Sequence, residues 1–240
     1  WSLCLFASQL VDDWKTHPDE VGRTGAFELL DFLTPIVKTW PSEYGPKAND
    51  FAIQVLGGGG DTNEHPVELM YRDNRLNPIH EGTTGIQSLD LLGRKVPQNG
   101  LAGYQACLNA IESTLEAAEG VADCAPMLVA LQAALGHLKS TTEVLLGSML
   151  ERDIDLVMAN SAKYLEFFGH VVVGWMWLRQ GLIAAQALTA ECHSDDTAFY
   201  RGKLQSMLYF ARWELPQTKV WADLLSDLDD TTYTMEAAWF

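Results

Sequence analysis

An all-α fold, built as two helical bundles, is what this sequence predicts, and three observations carry the prediction. Apolar residues recur at three- and four-residue spacing along most of the 240 residues. No run of alternating β-branched residues competes with that pattern, apart from the valines at 171 to 173. The periodic runs are punctuated by Pro- and Gly-bearing breaks, the clearest being VPQNG at residues 96 to 100.

Taken in order, Leu3, Phe6, Leu10 and Trp14 mark a first helix that stops at the polar THPDE. A second is expected from about Gly25 to Trp40, with Phe27, Leu30, Leu33 and Val37 on one face. WPSEYGP then breaks it, with Ser42 as N-cap of a third helix through Val55. Four glycines, 57 to 60, end that helix. Residues 61 to 80 carry Pro66 and Pro78 and read as loop with a short helix. A fourth helix runs from Thr84 to about Lys95. Beyond the VPQNG boundary, Leu101, Tyr104, Leu108, Ile111 and Leu115 mark the next. Ala125-Pro126 opens another, through Met149. Ile154 to Ala190 reads as one very long helix, bent near Gly169 or Gly174. Asp195 or Asp196 is expected to cap the next, which ends near Leu215-Pro216. The acidic stretch LLSDLDDTTYT reads as a frayed, solvated end. The expected domains are 1–97 and 98–240.

Composition excludes several classes. Sixteen basic against 32 acidic residues give a formal charge of -16, which repels phosphate backbones and anionic leaflets, so neither nucleic acid nor membrane is an expected partner. VVVGWMWLRQGLIAAQALTA, residues 171 to 190, has the length of a membrane span, but Arg179, Gln180 and Gln186 inside it favour a buried core helix. Cys4, Cys107, Cys124 and Cys192 have no CxxC spacing and read as reduced, mostly buried thiols, with no zinc site. The six histidines show no pairing suited to a haem or metal bundle. The chain opens inside an apolar run without an initiator methionine, as expected of a segment of a longer protein.

Two short stretches could carry chemistry. Four consecutive glycines exceed what a helix C-cap needs, and they would let a backbone lie flat against something large. Neither a GK[ST] nor a preceding strand makes this a Walker or Rossmann loop. In HEGTTG, Glu81 stands before Gly82 and two threonines at a helix entrance. It could be a carboxylate favoured by the helix dipole, with Thr83 or Thr84 as N-cap. Equally, it could be a general base presented from a loop into an apolar cleft.

Residues 54 to 95, QVLGGGGDTNEHPVELMYRDNRLNPIHEGTTGIQSLDLLGRK, resemble the C-terminal helical domain of the acyl-CoA dehydrogenase family. The family's run is a Gln, two apolar residues and Gly-Gly-x-Gly, then P-V-E, R-D-x-[RK], and E-G-T before a helix. All of these occur here in order, and the resemblance covers about residues 1 to 97. It implies a flavoprotein that uses FAD to oxidise the α,β bond of an acyl-CoA thioester. Glu81 would be the base that takes the α-proton, and its N–H would help bind the thioester carbonyl. Gly82 would keep room beside the flavin, and Thr83 matches a residue that contacts FAD. Gln54, Gly57 and Gly58 match positions that touch the adenosine end of a neighbouring subunit's FAD.

The resemblance also implies a homodimer or homotetramer in the bacterial cytoplasm, with an electron-transfer flavoprotein as electron acceptor. The family's N-terminal helical and middle β-domains are not in these residues, so the chain alone is expected to be inactive. His80 replaces a common Tyr, and Gly85 replaces a Gln or Glu near the adenosine. Asp73 and Arg75 are expected to hold the loop by an ion pair, and His65 is expected to be an exposed loop histidine. Residues 98–240 resemble the added helical domain of larger members, among them long-chain acyl-CoA and 3-methylthiopropionyl-CoA dehydrogenases. The aromatics Trp175, Trp177, Trp213 and Trp221 are expected mainly to pack a core, with a subunit interface as the alternative. The competing reading is a catalytically idle helical interaction module derived from the family.

Overall fold

A computed structural model describes residues 1–151, 153–189 and 194–240, with the side chains of Ser194 and Asp195 outside the description. Among the described residues the fold is helical, with no strand. Helix α1 spans Ser2–Thr16, α2 Glu20–Leu56, α3 Val67–Asn74 and α4 Thr84–Asp90. Then follow α5 Gln98–Ala117, α6 Ala125–Glu151, α7 Ile154–Met158, α8 Ser161–Thr189, α9 Ser194–Tyr209 and α10 Gln217–Ser226. Cys192, expected to be a reduced thiol, lies outside the described residues; Cys4, Cys107 and Cys124 are free, and Cys107 and Cys124 are buried. Burial pushes the Cys107 thiol up, away from the reactive thiolate.

Helix α8 is the post of the fold. Phe167, Phe168, Val171, Val172 and Leu178 on it are fully buried. The side chain of Phe168 meets Phe32 of α2 at 5.3 Å and Tyr104 of α5 at 6.1 Å between ring centroids. One continuous cluster of buried side chains therefore runs from α1 to α10. Two polar pairs are satisfied inside it. Trp175 Nε1 donates to Thr114 Oγ1 at 2.7 Å, and Tyr164 Oη and Thr142 Oγ1 share a hydrogen bond of 2.8 Å. The Arg179 guanidinium lies over the Phe6 ring, 4.5 Å from its centroid. That cation–π contact explains how a charged residue fits within the most apolar stretch of the chain. By length and composition α8 could cross a membrane, and half of its most apolar stretch is buried inside this fold.

The predicted break at WPSEYGP is absent. Helix α2 runs unbroken for 37 residues with Pro35, Pro41 and Pro46 inside it. Ser42 does not cap a helix; its Oγ donates to the Thr39 carbonyl at 3.0 Å. Each proline removes one hydrogen bond, at a local cost of about 3 kcal/mol. Burial along the same helix offsets this, since Phe32, Leu33, Pro35, Ile36, Thr39, Ser42 and Pro46 are all buried. The inward seam is therefore Phe32, Leu33 and Ile36. Of the stripe read from the sequence only Leu33 is fully inside, and Phe27 is 43% exposed.

Ile154 to Ala190 is likewise not one helix. The chain turns at Ala159-Asn160, and Asn160 Nδ2 donates to the Asp229 carbonyl at 2.7 Å. Gly169 and Gly174 both lie inside the continuous helix α8. They give room, because a Cβ on Gly169 would lie 2.9 Å from the Trp40 ring. The acidic tail is solvated but pinned, with Tyr233 Oη donating to Asp153 at 2.7 Å. Helix α9 begins at Ser194, so Asp195 and Asp196 stand inside its first turn rather than before it. Of the four tryptophans, Trp175 is buried and Trp177 and Trp221 are half-buried, whereas Trp213 is exposed and stacked on Tyr209.

Both Leu91–Lys95 and Phe210–Glu214 close as π-turns, with Val96 N–H bonding Leu91 O and Leu215 N–H bonding Phe210 O. In each case a proline follows at once, Pro97 and Pro216, which cannot continue the ladder. The corner after Pro97 is left-handed at Asn99, Gly100 and Leu101.

His170, 1% exposed, sits in a cage of Trp40, Tyr44, Phe210 and Trp221. Its Nδ1–H faces the Glu166 carbonyl at 2.9 Å, leaving Nε2 to accept from Tyr44 Oη at 3.3 Å. Burial holds its pKa below the ordinary value of 6.5 despite Glu166 and Glu214 nearby. A histidine neutral when folded takes up a proton on unfolding, so stability is complete above that ordinary value and falls as pH drops through it. Denaturant titrations between pH 7 and pH 5 should show this loss. In His170→Phe the acid slope should lessen by up to about 1.4 kcal/mol per pH unit. An unchanged slope would exclude His170 as its source.

Two helical glycines should respond oppositely to the same change. A Cβ on Gly103 would lie 2.9 Å from Phe32 Cβ and 3.3 Å from the Glu28 carbonyl, whereas one on Gly136 meets nothing. Gly103→Ala should cost about 1–3 kcal/mol, and Gly136→Ala should add about 1 kcal/mol, both read from urea midpoints.

Candidate active site

The segment from 74 to 84 is sewn along the middle of α2. Asn74 Nδ2 donates to Asn49 Oδ1 at 2.8 Å, and Asn77 Nδ2 donates to Asn74 Oδ1 at 2.6 Å. Glu43 accepts from Thr84 Oγ1. Lys38 Nζ donates to the Gly82 carbonyl at 2.6 Å and to the Asn77 carbonyl at 3.1 Å. Asp73 and Arg75 do not form the expected ion pair: among the described residues it is Arg72 that pairs, with Glu68 at 2.9 Å. The loop is thus held by amides and one ammonium rather than by that salt bridge.

Within this frame Glu81 adopts φ 57°, a left-handed conformation uncommon for a residue with a side chain. Such a backbone costs on the order of 1–2 kcal/mol and persists where its surroundings fix it. Gln87 Nε2 fixes it from one side by donating to the Glu81 carbonyl at 3.2 Å, and Lys38 fixes the next carbonyl from the other. Gly82 follows at φ 85°, and a Cβ there would come within 2.6 Å of Gln87 Nε2. Only glycine satisfies both demands. Thr83 is the N-cap residue of α4, without a side-chain capping bond.

Glu81 therefore lies two residues ahead of the N-cap, at the entrance of the helix. Its side chain is exposed, and the described residues do not form the apolar cleft expected around it. Neither its carboxylate nor its N–H has a hydrogen-bond partner among the described residues. His80 beside it is exposed too.

The glycine tract occupies the far end of the same helix. Gly57, at φ 63°, terminates α2 and starts a 3₁₀ turn over Gly57–Asp61. Gly60 is buried, and a Cβ there would sit 2.6 Å from the Ile53 carbonyl. Gly58 has neither reason to be glycine: its φ is not positive and a Cβ on it would meet open space. Gln54, Gly57 and Gly58 are all exposed. His65 is also exposed, and its ring would lie 3.7 Å from a Cβ on Gly59. Lys38 and Gln54 are 16 residues apart on one helix, about 24 Å by helical rise. The structure thus gathers Glu81, Gly82 and Thr83 in one place and Gln54, Gly57 and Gly58 in another.

Between α2 and α8 lies a cavity of about 250 Å³, walled by Ile36, Trp40, Tyr44 and Leu165, with Thr84 and Glu43 at one side. Thr39 Oγ1, buried there, has no hydrogen-bond partner. Sequence reasoning missed this cavity, and it missed Lys38 and Gln87 as the groups that hold the loop. A lysine in a helix and a glutamine after a cap carry no local signal of their distant partners. Among the described residues no group of His, Cys, Asp or Glu could hold a metal ion.

Residues 18–96 match the family model "Acyl-CoA dehydrogenase, C-terminal domain", and residues 107–236 match "Acetyl-CoA dehydrogenase C-terminal like". The chain is 31% identical over 230 residues to the 3-methylmercaptopropionyl-CoA dehydrogenase of Ruegeria pomeroyi, covering 92% of this chain and 37% of that protein. It is 26% identical over 220 residues to the broad-specificity linear acyl-CoA dehydrogenase of Mycobacterium tuberculosis, covering 90% of this chain and 36% of that one. The human mitochondrial short-chain specific enzyme matches over 58 residues at 43% identity, 24% of this chain and 14% of that protein. The chain thus spans little more than a third of the length of the first two relatives. Two family models in succession along the chain, and a relative at 31% identity over 92% of it, lead to one conclusion: the chain belongs to the acyl-CoA dehydrogenase family.

Proposed function

We propose that this chain is the C-terminal portion of an FAD-dependent acyl-CoA dehydrogenase, in which Glu81 removes the α-proton of an acyl-CoA thioester. The observation that carries this reading is the Glu81 loop, where a non-glycine residue is held left-handed with an unpartnered carboxylate and an unpartnered N–H. A base needs its carboxylate free to accept a proton. A free N–H on the same residue suits the thioester carbonyl, on which negative charge grows as the α-carbon loses that proton. One residue then serves adjacent atoms of one substrate.

Bound FAD would supply the acceptor for the hydride that leaves the β-carbon. Gly82 and Thr83 stand beside Glu81 and would face the flavin. Gln54, Gly57 and Gly58 would meet the adenosine end of a neighbouring subunit's FAD. Gly58 supports that fit, since open space over its α-carbon leaves room for a close approach that any side chain would fill. Their separation along α2 supports service to two different FAD sites. The reading carries a homodimer or homotetramer, an electron-transfer flavoprotein as acceptor, and domains of 1–97 and 98–240. It also carries inactivity of this chain alone, because the chain spans little more than a third of the relatives it matches.

The test uses the intact flavoprotein, mixed anaerobically with a panel of acyl-CoAs while its visible absorbance is followed. Wild type should bleach, and Glu81→Gln should bleach about 10²–10⁴-fold more slowly. Bleaching at the wild-type rate in that variant would remove Glu81 from the chemistry. Gly58→Leu should lower the FAD retained on gel filtration while leaving the melting temperature of the flavin-free protein unchanged. Gly60→Leu should lower that melting temperature, because a Cβ there would meet the Ile53 backbone and Leu56 Cβ, which cannot swing aside.

A further inference from the structure

We propose that Lys38 is a positioning residue for Glu81, a role that rests on reading Glu81 as the proton-abstracting base. The chain has twice as many acidic as basic residues, 32 against 16. Yet among the described residues Lys38 forms no ion pair, and its ammonium goes to two uncharged carbonyls instead. Those carbonyls belong to Asn77 and Gly82, so one half-buried cation closes the segment Pro78, Ile79, His80 and Glu81 into a loop. Hydrogen bonds from an ammonium are the strong kind, and their donors radiate from a point, which suits two acceptors on different sides.

The geometry assigns this clamp a purpose other than joining α3 to α4. The Asn74–Asn49 bond and the Thr84–Glu43 bond already tie the two ends of the connection to α2. Lys38 acts between them, where the left-handed backbone of Glu81 has to be maintained. With Gln87 on the Glu81 carbonyl and Lys38 on the next one, the peptide planes on the two sides of Gly82 are both held, and the bond of Lys38 to Asn77 anchors the other end of the loop. The first of those planes adjoins the Glu81 α-carbon and so bears on where its carboxylate points. Without Lys38 the chain can relax toward ordinary backbone conformations, which swings the carboxylate away from its working direction.

The experiment uses the intact flavoprotein in four forms: Lys38→Met, Lys38→Arg, Gln87→Leu and Glu81→Gln. Amide hydrogen exchange is followed peptide by peptide, and acyl-CoA binding is measured apart from the rate of flavin reduction. In Lys38→Met, exchange should rise within residues 77–84 only, and reduction should slow by about 10²-fold, the penalty of a base misplaced by about 1 Å. Binding of acyl-CoA should be unchanged, and Lys38→Arg should recover most of the rate, since its fork can reach both carbonyls. Reduction at the wild-type rate in Lys38→Met would overturn the proposal. So would a loss spread over α2 to α4 in exchange and shared by binding, which marks a structural lysine. If Lys38→Met retains too little flavin to assay, Gln87→Leu decides, because it frees the same loop from the opposite side. Slower reduction with local exchange supports the clamp, and a silent Gln87→Leu sinks it. Wild-type reduction in Glu81→Gln would instead strike the base reading, and exchange alone would then judge the clamp.

Discussion

The edge-to-face contact of Phe32 with Phe168, 5.3 Å between centroids, ties α2 to α8, and the loop that carries Glu81 depends on that junction. Helix α2 has no independent claim to be straight. Three prolines interrupt its ladder, and its stability comes from the seam of Phe32, Leu33 and Ile36 pressed against α5 and α8. Remove that support and the helix has every local reason to break at Pro41. With it, α2 becomes a rod along which Lys38, Glu43 and Asn49 each catch a part of the loop that carries Glu81. Burial in one place thereby fixes a carboxylate in another.

The loop shows how a strained conformation is maintained by hydrogen bonds from distant side chains. Its own sequence, HEGTTG, supplies only Gly82 as a residue suited to positive φ. The left-handed Glu81 is imposed from outside, by an amide five residues after Gly82 and an ammonium 44 residues before it. Strain at a single functional residue, secured by surrounding hydrogen bonds, is a recurring property of reactive sites.

Most of the helical architecture was legible in the sequence because long apolar periodicity survives whatever the tertiary context does. Helix α8 as a core helix, α3 as a short one and the end near Leu215-Pro216 are examples. What misled was punctuation. Proline at 41 and serine at 42 make a convincing helix boundary locally, and only the partners of α2 overrule it. The break at Asn160 was invisible for the converse reason: no proline or glycine marks it, and its cause is a carbonyl 69 residues away. At the site, the motif fixed attention on Glu81 and the glycines through resemblance. The residues that hold the loop left no trace, since Lys38 lies in a helix that would tolerate any polar residue there. The expected Asp73–Arg75 pair failed because proximity in sequence says little about which of two neighbouring arginines faces a carboxylate.

The length of α2 has a consequence for how this family can vary. A loop between two functional positions can lengthen or shorten at little cost. Between Lys38 and Gln54 there is no loop, only continuous helix. Inserting or deleting one residue there would turn one end about 100° relative to the other and slide it about 1.5 Å. Lys38 cannot keep its two carbonyls after such a change while Gln54 keeps the place proposed for it. The stretch 38–54 should thus accept substitution at its exposed positions, such as Lys47, Ala48 and Asp50, while rejecting every insertion and deletion, a ruler whose blank spaces can be repainted but whose divisions cannot be recut.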